Sequence, residues 1–169
     1  MHNDITPSNI LKFKSTPDGQ VLGLCDLGAA SCSAVEALAE SVLPAAYRPL
    51  MSPAIYSPVI NPMYSSVEAL LLKPFGPSSD MQSLVFTLMS LDGIRLPWEL
   101  AADAGDHKQV LAIREKVGKA ADPVAALGVG DWPSPLQQLA CAAIKREKSA
   151  LALALTIAEA APVFTGSMI

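Results

Sequence analysis

From Ser134 onward, apolar residues return every three or four positions. Leu136, Leu139, Ala143, Ile144, Leu151, Leu155 and Ala158 share one stripe, opposite a charged belt of Lys145, Arg146, Glu147 and Lys148. A period near 3.6 belongs to a helix with one buried face. The pattern therefore predicts a long C-terminal helix from Leu136 to about Ala161, opened by Ser134-Pro135. Its far end, ALALALTIA, is apolar on every side, with Leu153 and Ile157 turned away from the main stripe. Such a helix needs cover from its own domain or from a partner.

The same period recurs upstream. In DMQSLVFTLMSLDG the residues Met81, Leu84, Val85, Leu88 and Met89 form an apolar face, with Ser79 and Gln82 as an opening box and Gly93 as a C-terminal cap. RLPWELAADAG places Pro97 in a first helical turn, Asp106 with Gln109 caps HKQVLAIREKVG, and Asp122-Pro123 opens a further short turn. Ser33 and Glu36 box a helix carrying Val35, Leu38, Ala39 and Val42 that Pro44 ends, while Ser65 and Glu68 box a shorter one through Leu72 closed by Pro74. Residues 10–24, ILKFKSTPDGQVLGL, read as two extended runs around Pro17-Asp18-Gly19. The fold expected is mainly α: an extended arm or hairpin over 1–30, then one irregular helical domain over 31–169 with a long C-terminal helix.

One segment follows neither period. No charge occurs from Pro49 to Val67, and Pro49, Pro53, Pro58 and Pro62 punctuate it. Prolines at that spacing favour an extended, already ordered backbone, which docks an apolar face at lower entropic cost than a flexible loop. Over 49–64 that face would consist of Ile55, Tyr56, Val59, Ile60, Met63 and Tyr64, with Tyr56, Ile60 and Tyr64 as anchors. The strip either contacts another polypeptide or wraps its own core. With Leu153 and Ile157, these residues are the partner-binding candidates.

Composition narrows the chemistry. The chain has 169 residues, enough for one domain. Its residues are 51% hydrophobic but only 5% aromatic and 17% charged, so the apolar content comes from Ala, Leu and Val. A net charge of -4 without a Lys/Arg cluster argues against nucleic-acid binding. Cys25, Cys32 and Cys141 make no CxxC pair and suit reduced thiols in a cytoplasm. The polar start, with Lys12 and Lys14, does not read as a signal peptide, and the apolar run 150–163 is too short for a membrane span and is interrupted by Glu159 and Pro162.

Catalytic candidates are few. His2 lies where a mobile terminus is expected, and His107 falls in a first helical turn beside Asp106 and Lys108, where solvated residues ordinarily sit. HExxH, paired cysteines and a calcium loop are all missing, and LGVGDWPSP lacks the spacing of a phosphate loop. Neither a catalytic residue, a metal site nor a cofactor is expected.

Residues 81–117 combine an apolar helix, the Asp92-Gly93 turn, a short Leu-rich turn and an Asp-capped helix ending in an ion-pair-rich stretch. This order resembles small tail and baseplate assembly proteins of tailed bacteriophages. The resemblance implies a virion or tail-assembly component that works by docking to other subunits, in the cytoplasm of a bacterial host or in the virion. The expectation is therefore a non-enzymatic protein–protein interaction component: a phage structural subunit or assembly chaperone whose partners are other protein subunits, copies of itself included. A small inhibitor, immunity or anti-defence binding protein is the alternative, and an enzyme of unknown type comes third.

Overall fold

A computed structural model of the chain describes residues 2–12, 22–26, 60–73 and 76–160. The helix expected from Ser33, the Pro17–Gly19 turn, and Ile55, Tyr56 and Val59 of the strip lie outside the described residues. The fold is mainly α, with one two-stranded ribbon among the described residues. After a 3-10 turn at Pro7–Asn9, β1 (Ile10–Lys12) pairs antiparallel with β2 (Leu22–Leu24), Leu11 opposite Gly23. Among the described residues seven helices follow: α1 (Val67–Leu70), α2 (Pro77–Leu91), α3 (Glu99–Asp103), α4 (His107–Gly118), α5 (Pro123–Leu127), α6 (Ser134–Ile144) and α7 (Ser149–Ala160).

Local chemistry accounts for most boundaries. Asp106 and Asp122 cap α4 and α5 by accepting from the amides of Gln109 and Ala125, satisfying donors that a helix start leaves open. Helix α1 is capped by Ser66, whose hydroxyl accepts from Ala69 N–H at 3.1 Å. Ser65, the cap expected from the sequence, instead accepts from Asn61 N–H in the preceding turn. Helix α2 starts two residues before the expected Ser79, with Gly76 as its cap and Pro77 at its first position.

Helix α2 is central. Val85, Phe86 and Met89 are buried on one side, packed with Trp98, Val110, Leu127, Val129, Leu139, Ala140 and Ala143. On another side Ser79, Asp80, Ser83 and Thr87 are buried too. The N-terminal segment answers these polar groups: the Asp80 carboxylate accepts from His2 N–H at 2.7 Å and Asn3 N–H at 2.8 Å, and the Thr87 hydroxyl donates to the Ile5 carbonyl at 3.0 Å. Asp80 and Thr87 are thus paired with the N-terminal segment, and Ser83 donates within α2 to the Ser79 carbonyl, as burial demands. His2, expected at a mobile end, is buried and donates from Nε2 to the Cys25 carbonyl at 3.0 Å.

The single C-terminal helix expected over 136–161 is instead two helices. Helix α6 ends at Ile144 with Lys145 as its cap, the chain turns through Arg146 at φ 60°, and α7 begins at Ser149. The amides of Arg146 and Glu147 return to the carbonyls of Ala143 and Ala142, a Schellman closure that usually places glycine where Arg146 stands. A straight helix over that span would run about 40 Å, beyond the core. The reversal lets α7 pack against α6 and α2, burying Ala150 and seating Leu153, Ala154 and Ile157 on the core.

Candidate functional site

Val110, Arg114 and Val117 are the buried residues of α4, spaced at i, i+4 and i+7 along one face. This puts a guanidinium inside the protein. The Arg114 Cζ lies 4.5 Å from the Trp98 ring centroid and 4.7 Å from that of Phe86, and the two rings meet edge to face. Nη1 donates to the Ser65 carbonyl, and Nη2 donates to the carbonyls of Pro62 and Met63, each at 2.9 Å. The Trp98 indole donates to the Met63 carbonyl as well.

Burial pulls the guanidinium pKa down to about 9. Carbonyl dipoles and ring faces both favour the cation, so the group is charged at neutral pH. Its Nε has no hydrogen-bond partner among the described residues. The arrangement clamps the end of the proline strip. Ile60, Met63 and Tyr64 are half-buried against the core, and the Tyr64 hydroxyl lies 3.0 Å from Ser90 Oγ.

Arg114 also lines a cleft of about 480 Å³ between α1, the end of α4 and the α6–α7 turn. Val67, Leu71, Leu111 and Ile144 supply its apolar wall. Gly118 lies where α4 meets α6: a Cβ there would stand 3.2 Å from the Ile144 carbonyl oxygen, so any other residue would push the two helices apart by a few tenths of an ångström. Lys119, Lys145 and Arg146 supply positive charge at the same cleft. Lys119 donates to Glu115 at 2.7 Å; that bond and its charge, with a smaller pull from Arg146, hold the Glu115 carboxyl below its usual range.

The charge period of α4 carried the one available signal for this cluster, because Arg114 falls on the same face as Val110 and Val117. The role of Asp80 had no comparable signal. His107 is exposed at the first turn of α4. Among the described residues, no group of three or more His, Cys, Asp or Glu side chains is placed to hold a metal ion, and no helix is long and apolar enough to cross a membrane.

On α7 the faces are the reverse of those expected. Leu153 and Ile157 pack against the core, whereas Leu151, Leu155 and Ala158, expected on the buried stripe, are exposed. The break at Arg146 resets the helical phase, so residues beyond it no longer continue the stripe of α6. Compared with protein-family models, curated proteins and solved structures, the chain has no match.

Proposed function

We propose that the chain is a non-enzymatic protein–protein interaction component, a structural or assembly subunit that docks to neighbouring subunits through the outer face of α7. The observation that carries this reading is the composition of that face. Its exposed positions are Leu151, Ala152, Leu155, Thr156, Ala158 and Glu159, with Leu155 at 56% exposure. Exposed faces of small-domain helices are ordinarily charged or polar, and a contiguous apolar face marks a contact surface. The resemblance of residues 81–117 to phage tail and baseplate assembly proteins supports placing that subunit in a virion or its assembly line. The best-built polar cluster, around Arg114, is engaged in holding the backbone carbonyls of Pro62, Met63 and Ser65.

Size-exclusion chromatography with light scattering tests this reading on the whole chain and on Leu155→Lys. The expected result is a concentration-dependent mass above that of one chain, lost in the variant. One-chain mass at every concentration, unchanged by Leu155→Lys, overturns the self-assembling subunit and favours a monomeric inhibitor.

A further inference from the structure

We propose that the cleft between α1, α4 and the α6–α7 turn binds a single-chain monocarboxylate, an acyl chain ending in one anionic group. This is independent of the α7 surface. The cleft volume, about 480 Å³, falls within the range of about 300–1,000 Å³ usual for small-molecule pockets. Its aliphatic side, Val67, Leu71, Leu111 and Ile144, suits a hydrocarbon chain.

The charged side is unbalanced. Lys119 is committed to Glu115, and the only other ion pair among the described residues is Arg95–Glu99. Lys145 and Arg146 therefore line the cleft outside any ion pair, against Glu115 as its one carboxylate, already held by Lys119. Arg114 adds an independent sign: it lines the same cleft, is 1% exposed, and keeps a buried Nε–H without an acceptor. Buried donors ordinarily find partners, and a carboxylate oxygen is the acceptor a guanidinium takes best.

Backbone geometry points to the same place. Arg146 takes a left-handed conformation at φ 60°, which costs a non-glycine residue about 1 kcal/mol or more. Where glycine would be cheaper, the chain keeps a guanidinium at the cleft. A peptide fits the lining less well: Glu115, its one acceptor side chain, is already engaged by Lys119, which leaves peptide N–H groups short of side-chain acceptors. An acyl chain has no such requirement.

The test follows the Arg114 Nε–H resonance of the full chain, labelled with ¹⁵N-arginine, during titration with octanoate. A saturable shift is expected, with octanol binding about tenfold more weakly for want of the charge. Arg146→Gly and Lys145→Ala should each weaken octanoate while leaving the amide spectrum folded, because both side chains are exposed and glycine suits the left-handed turn. An unmoved resonance, equal affinity for octanol, or unchanged affinity when both residues are replaced overturns the proposal. Tighter binding of N-acetyl-leucyl-leucine than of octanoate overturns the acyl-chain assignment in favour of a peptide site.

Discussion

Arg114 and Trp98 stack at 4.5 Å and donate to the same acceptor, the Met63 carbonyl. Neither residue is chemically self-sufficient in the core. The indole needs an acceptor, the guanidinium needs carbonyls, and the turn at Pro62–Ser65 supplies both.

Arg114→Met keeps the apolar bulk but strips the donors from the Pro62 and Ser65 carbonyls and leaves the Met63 carbonyl with the Trp98 indole alone, and should cost about 3 kcal/mol. Arg114→Lys should recover little of this, because an ammonium cannot reproduce the planar fork. Urea unfolding at neutral pH measures both. A Met variant as stable as the parent would mean that water serves those carbonyls.

Asp80→Ala removes two charge-assisted bonds that hold the amides of His2 and Asn3. The expected loss is about 2 kcal/mol. Hydrogen exchange should accelerate at residues 2–6 well before it does in α2. Uniform acceleration across the chain would show that the segment and the helix open as one unit.

Arg146→Gly should stabilise the fold by about 1 kcal/mol, since it relieves the left-handed strain without removing a buried group. Leu72, at φ 54° and 73% exposed, closes α1 in the same way and should respond in the same direction. Thermal melts of the two single variants check this.

Cys141 lies half-buried in α6. Burial first, then the charges of Asp122 and Glu147, raise its thiol pKa against an opposing pull from Lys145. In a Cys25→Ser, Cys32→Ser background it should react with iodoacetamide at pH 8 more slowly than a free thiol, and at the free rate in urea. The linkage has a definite sign. An acid whose pKa is raised by folding contributes stability that is full below the unfolded thiol's pKa of about 8.5 and is lost as pH rises through the folded value. A folded rate equal to the urea rate would place the thiol in solvent.

The sequence was most legible where side chains act on their own helix. Asp106 and Asp122 cap as their spacing predicts, Gly93 closes α2 with φ 75°, and Leu139 and Ala143 are buried. It was least legible where distant segments decide. Helix α2 looked one-faced from Met81, Leu84, Val85, Leu88 and Met89, yet Leu84 and Leu88 are only half-buried while Phe86 and Thr87 are fully covered. The N-terminal segment, whose arrival no local period announces, covers the additional side. The α6–α7 break was hidden for a different reason: Lys145 to Lys148 contain neither glycine nor proline, so the turn is imposed by what α7 buries on folding back. The cleft shared by Arg114 and Arg146 follows from that reversal, which is why spacing along the chain could not bring the two arginines together.

The bonds from Asp80 to His2 and Asn3 also set an order of events during synthesis. His2 leaves the ribosome before its acceptor, which is made 78 residues later. At about 5–20 residues per second, that delay is roughly 4–16 s. Throughout it, the segment from His2 to Thr6 has no docking face, whereas α2 meets its cover already made. A nascent chain stalled before Asp80 should therefore leave residues 2–6 open to protease, and protection should appear only after α2 has emerged.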